Sequence, residues 1–162
     1  MSTKNLSDNN TKNIKNAHSY KIAIAVAEWN PEITDALCKG AKKTLKKFGV
    51  WEKNIIVKRV PGTFELTKAG KIFAEQTNID AVILLGCVIQ GETRHFDFIC
   101  QGVTQGITQL NINYDIPFIF GVLTTDNQQQ AKDRSGGKLG NKGDEAAIAA
   151  LKMIQLKKEL TF

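Results

Sequence analysis

Cysteine and histidine are scarce in this 162-residue sequence, and neither clusters. Cys38, Cys87 and Cys100 are odd in number and show no CxxC spacing. They read as free thiols in a reducing cytoplasm, not as a disulfide or zinc framework. No second His or Cys lies at metal-ligand spacing from His95, which argues against a metal site. No apolar run approaches the roughly 20 residues of a membrane span. The polar amino terminus has no signal-peptide core. A cytoplasmic, non-membrane protein is the expectation. At this length one domain can build a core without disulfides or metal. Internal repeats are absent.

The net charge of +6 invites a nucleic-acid reading, but its distribution weakens it. Residues 1–21 hold Lys4, Lys12, Lys15 and Lys21 against Asp8, which is +3 of the total. The remaining lysines mostly punctuate helical stretches such as AKKTLKKF and LKKEL, as a solvated face requires. No basic groove is visible, whereas small anions remain suitable ligands.

Residues 1–20, rich in Asn, Lys, Ser and Thr, bury too little to offset their ordering entropy and read as a disordered tail that could order against a neighbour. The single domain is expected over 21–162. IAIAVA (22–27) and AVILLGCVI (81–89) are wholly apolar, as strands buried on both faces are, and the second is expected near the centre. Strands are also expected at 55–60 and 117–123, where Pro117 is tolerable as a first residue. Asn30-Pro31 supplies a helix cap and a first-turn proline. Helices are expected to Gly49, over 64–76, 95–113, 127–134 and 144–160, with SGGKLGNKG (135–143) as a flexible loop. The alternation predicts a single α/β domain: a four-stranded parallel sheet with helices on both faces, a flavodoxin-like three-layer sandwich.

Such sheets bind ligands beyond the carboxyl ends of their strands. Each expected strand end carries unusual residues: Glu28-Trp29-Asn30, Pro61 to Glu65, Gly86 to His95, and Phe120 to Asp126. Topology alone lets these four turns converge. Gly86 to Thr93 nearly matches the P-loop pattern, but Glu92 stands where lysine neutralises nucleotide phosphates, which excludes nucleoside-triphosphate hydrolysis. The turn could hold one phosphate through its amides, or serve only tight strand-to-helix packing. His95 is either structural or a proton carrier near neutral pH. Trp29, Phe64 and Phe120 are either core plugs or stacking surfaces for a flat heterocycle. Arg134 either compensates a helix end or binds phosphate bidentately. Lys142 is solvated or a second phosphate contact. Cys87 reads as a small buried residue, not a nucleophile.

Five blocks in order carry a resemblance that runs from about Tyr20 to Leu160: WN (29–30), VPGTFEL (60–66), GCVIQGETRHFDF (86–98), FGVLTTDN (120–127) and NKGDEAAIAALKM (141–153). The chain resembles the 6,7-dimethyl-8-ribityllumazine synthases of riboflavin biosynthesis. The resemblance implies condensation of 5-amino-6-(D-ribitylamino)uracil with L-3,4-dihydroxy-2-butanone 4-phosphate, without cofactor or metal. It implies that Trp29 stacks on the pyrimidine, and that Thr63, Phe64 and Glu65 hold the ribityl chain. Cys87, Val88 and Ile89 would meet the uracil edge through backbone groups. Glu92, Thr93 and Arg134 would bind phosphate, with His95 as the proton-transfer residue, oriented by Glu145. Phe120 would come from an adjacent subunit, and Lys142 would lie near the butanone. The family pattern also implies a pentamer, an icosahedral shell suggested by the short GGKLGNKG loop, and riboflavin synthase as a partner. Glu28, Thr63, Cys87 and Arg94 depart from the usual residues. The rival readings are a flavodoxin-like binding module, a shell protein whose activity has lapsed, and nucleic-acid binding through the tail.

Overall fold

The computed structural model describes residues 14, 17–75 and 78–160. β1 (Ile22–Ala27), β2 (Ile55–Val60), β3 (Ala81–Ile89) and β4 (Phe118–Thr125) form one parallel sheet in the order β2-β1-β3-β4. β1 is buried throughout and β3 over its first seven residues, so the two wholly apolar strands occupy the middle as expected. β2 carries Lys58 and Arg59 and lies at an edge, where charged side chains reach water.

The twofold alternation of side chains along β1 and β3 assigns the two cores. Ile22, Ile24, Val26, Ile83 and Leu85 face α1 (Pro31–Lys47) and α5 (Lys142–Leu160), meeting Leu37, Leu45, Leu151 and Ile154. Ala23, Ala25, Val82 and Leu84 face α2 (Leu66–Ala74) and α3 (His95–Asn113), meeting Leu66, Phe73, Val103 and Ile107. Each fully buried Leu or Ile here contributes about 1.5–3 kcal/mol. Asn111 of α3 ties that helix to β4, accepting from the Phe118 N–H at 2.9 Å and donating to the Phe118 carbonyl at 2.9 Å. None of the described helices is long and apolar enough to cross a membrane.

The structure departs from expectation in several places. α2 begins at Leu66, leaving Phe64 in a turn, and ends at Ala74; expected residue Gln76 lies outside the described residues. β4 continues to Thr125, so Phe120 is its third residue and not part of the turn at its carboxyl end. The segment 135–143 is not a flexible loop. β5 (Ser135–Gly137) and β6 (Gly140–Asn141) pair antiparallel after α4 (Gln128–Arg134), and α5 starts at Lys142. The Asn141 amide fixes this hairpin by donating to the Ala36 carbonyl of α1 at 2.9 Å, and Leu139 N–H donates to the Asp133 carbonyl at 2.8 Å. Of the expected tail, residues 1–13, 15 and 16 lie outside the described residues. Ala17 and Tyr20 are buried and Ile14 packs against the core, so packing begins before residue 21.

Candidate active site

A cavity of about 480 Å³ opens where the carboxyl ends of β1, β2 and β3 meet the start of α3. It gathers Trp29 from the β1–α1 turn, Thr63, Phe64 and Glu65 from the β2–α2 turn, Cys87, Val88 and Ile89 from β3, and His95 from α3. Eight predicted site residues therefore share one cavity. Trp29 is 72% exposed and Phe64 57%, which removes the core-plug alternative for both and leaves two aromatic faces free to stack.

Close backbone approach shapes this cavity. A Cβ on Gly86 would lie 2.7 Å from Thr63 Oγ1, so glycine within β3 lets the buried Thr63 seat against the strand. At Gly62 a Cβ would lie 2.9 Å from a Glu65 carboxylate oxygen and 3.3 Å from the Trp29 ring. Gly86 is thus a strand residue needed for packing, not the first glycine of a phosphate loop. Asn30, also in the cavity, was expected only as a cap. It occupies the cap position in the left-handed region (φ 57°) but makes no side-chain bond to the helix. Its Nδ2 donates instead to the Cys87 carbonyl at 3.0 Å. The one signal in the sequence was its position, wedged between an aromatic and a proline at a strand end.

β3 outruns β1. The β1–β3 ladder ends at Val26 opposite Leu85, whereas β3 continues against β4 to Ile89 opposite Thr125. The N–H groups of Val82 and Gln90 donate towards β4, to Pro117 and Thr125 carbonyls at 2.9 and 2.8 Å. Even-numbered residues of β3 therefore turn their amides to β4, and Cys87 and Ile89 turn theirs to the cavity side. Burial pushes the Cys87 thiol up to about 11, so it is protonated at neutral pH.

His95 occupies the first position of α3, exposed, with its N–H donating to Thr93 Oγ1 at 3.4 Å. Glu92 and Thr93 form the exposed turn before it. Arg94 pairs with Asp97 at 3.8 Å on the surface, an interaction worth little.

The other predicted residues lie elsewhere in the chain. Phe120, Lys142 and Glu145 line a second cavity of about 540 Å³ between β4, the opposite edge strand from β2, and α5. Phe120 is 41% exposed there. Lys142 Nζ bonds both carboxylate oxygens of Glu145, at 2.8 and 2.9 Å, with both side chains largely buried. Within one chain Glu145 is thus held by Lys142 and lines a different cavity from His95. Arg134 ends α4, with one guanidinium nitrogen donating to the Gln130 carbonyl at 3.0 Å. The four turns do not all converge within a single chain.

Sheets of this architecture take small molecules beyond the carboxyl ends of their strands, and the chain, with its cavity at that edge, is an α/β protein of that class. Comparison with known proteins narrows the class. The 6,7-dimethyl-8-ribityllumazine synthase family pattern matches residues 19–158. The 6,7-dimethyl-8-ribityllumazine synthase of Parabacteroides distasonis is 59% identical over 150 residues, covering 93% of this chain and 94% of the relative. That of Porphyromonas gingivalis is 58% identical over 154 residues, covering 95% and 96%. That of Bacteroides fragilis is 60% identical over 134 residues, covering 83% and 94%. The chain belongs to the 6,7-dimethyl-8-ribityllumazine synthase family.

Proposed function

We propose that this chain condenses 5-amino-6-(D-ribitylamino)uracil with L-3,4-dihydroxy-2-butanone 4-phosphate to give 6,7-dimethyl-8-ribityllumazine, phosphate and water, the penultimate step of riboflavin biosynthesis. Family membership over most of the chain supports the reaction. The observation that carries the site is the joint lining of one cavity by an exposed aromatic, an open strand edge and an imidazole. Trp29 stacks on the pyrimidine, while backbone groups of Cys87 and Ile89 read its edge and Val88, whose backbone turns to β4, lines the wall beside it. Thr63, Phe64 and Glu65 hold the ribityl chain. The substrate amine attacks the ketone and one water leaves as the imine forms. Phosphate is eliminated to leave an enol that becomes a second ketone, and the ribityl-bearing amine attacks that carbonyl, closing the ring with loss of a second water. His95 carries protons through these steps. Most of the rate comes from alignment of two bound molecules, for which orientation is an adequate source.

Thr93 and Glu92 form the phosphate turn and Arg134 supplies the guanidinium. Phe120, Arg134, Lys142 and Glu145 serve the site of a neighbouring copy, whose His95 cavity they complete. The separation of the two cavities within one chain supports this reading for Phe120, Lys142 and Glu145, and the absence of Arg134 from the His95 cavity supports it for the guanidinium. A homo-oligomer follows; a pentamer, its closure into an icosahedral shell, a cytoplasmic location and an association with riboflavin synthase fit the same reading.

The test is a direct assay of lumazine formation against the slow uncatalysed reaction. The expected outcome is acceleration that falls strongly in Arg134→Ala. A folded, assembled protein that gives no acceleration would refute the catalytic reading and leave a shell or binding protein of this family.

A further inference from the structure

We propose that Asn30 is a positioning residue that sets the gap between the Trp29 platform and the Cys87–Ile89 edge. The inference rests on the assignment of those two features to the pyrimidine. Three observations carry it. The first is conformational: Asn30 is left-handed, a region that asparagine tolerates better than most residues. The second is a division of labour within the residue. Its backbone carbonyl accepts from the Ile33 and Thr34 N–H groups at 2.9 and 3.1 Å, which meets the needs of the helix start and releases the side chain. The third is where that side chain goes. Nδ2 crosses to the Cys87 carbonyl at 3.0 Å, beyond the end of the β1–β3 ladder.

This bond extends the β1–β3 connection by one rung after the strand pairing has stopped. Trp29 is the residue immediately before Asn30, and Ile89 lies two residues after Cys87 on the same side of β3. A single amide therefore ties the turn that bears the stacking ring to the strand that bears the edge-reading groups. Without it the left-handed turn can persist, but the ring and the edge lose their mutual register. A cap that only starts α1 would have no such link.

The experiment separates backbone conformation from the amide. Asn30→Gly keeps access to the left-handed region and deletes Nδ2. Asn30→Asp keeps the size but aims a carboxylate oxygen at the Cys87 carbonyl. Both are made in a Trp51→Phe background, where Trp29 is the sole tryptophan. The expected result is a KM for 5-amino-6-(D-ribitylamino)uracil raised about 10-fold, the scale of one lost hydrogen bond. The KM for the phosphorylated ketone should stay unchanged, and Trp29 emission should shift in the free protein. Reverting the Asn30→Asp variant to asparagine should recover both readouts. Unchanged pyrimidine KM and Trp29 emission in Asn30→Gly, or an equal rise in both KM values, would overturn the proposal. If Trp29→Ala itself leaves the pyrimidine KM unchanged, the underlying assignment of the platform fails instead, whatever Asn30 does.

Discussion

Cys87 is 2% exposed, and burial pushes its thiol up from the usual 9.0 to about 11. As pH rises from about 9 towards 11, the unfolded chain releases this proton while the folded chain retains it. Stability should therefore be complete below pH 9 and fall across that window, by on the order of 2 kcal/mol for this group. Cys87→Ala should flatten the fall, read from urea unfolding of both proteins at several pH values, and should retain kcat because the thiol does no chemistry. His95→Ala should instead lower kcat by about 10- to 100-fold with little change in the melting temperature, since the ring is exposed. Single-turnover lumazine formation checks this. At this scale the sequence left Trp29 and Phe64 ambiguous between core and surface, because an aromatic reads the same in either role. Only their exposure separates the roles. Asn30 was legible as a cap and not as a bridge, since its partner lies 57 residues away.

The buried strands and most helices were legible as elements because periodicity and apolar runs are local properties. β1, β2, β3 and α3 fall where expected. The 135–143 segment was not legible, because glycine content predicts freedom while its anchor is a tertiary contact. Asn141 ties it to two helices: Nδ2 bonds α1 at the Ala36 carbonyl and also reaches the Ser135 carbonyl at 3.3 Å within the hairpin, and Oδ1 accepts the Gly143 N–H at 2.8 Å, capping α5. Asn141→Ala should cost about 2 kcal/mol in chemical denaturation, as two hydrogen bonds of this kind suggest. Lys142 and Glu145 stand on the first turn of that helix, so the same substitution should also loosen the ion pair between them. The Arg59–Asp35 ion pair, by contrast, joins β2 to α1 in the open, and Arg59→Ala should cost less than about 1 kcal/mol, read in the same way.

At the scale of the molecule, convergence of four turns was an argument from strand polarity, and it holds for three of them. Of the fourth, expected from Phe120 to Asp126, Phe120 instead lines the cavity along the outer edge of β4, together with Lys142 and Glu145 of α5. Sequence cannot distinguish a residue that serves its own cavity from one that serves another copy's. Mixed assembly can: His95→Ala and Arg134→Ala proteins, each deficient alone, should regain activity when unfolded, mixed and reassembled, because some sites then receive both intact groups. Absence of recovery in hybrids of confirmed composition would place the site within one chain. The unequal lengths of β1 and β3 have a consequence for what such a site can recognise. Beyond the end of β1, past the single Asn30 bridge to the Cys87 carbonyl, β3 has no strand beside it on the cavity side. A cyclic ureide carries alternating N–H and C=O groups along its rim, much as a peptide does. On the proposed reading the pyrimidine enters as a surrogate strand, its rim met by the grammar of the sheet while Trp29 covers its face. Side-chain substitutions on β3 along that open edge, at Cys87 and Ile89, that keep the backbone course should leave recognition of that ring largely intact.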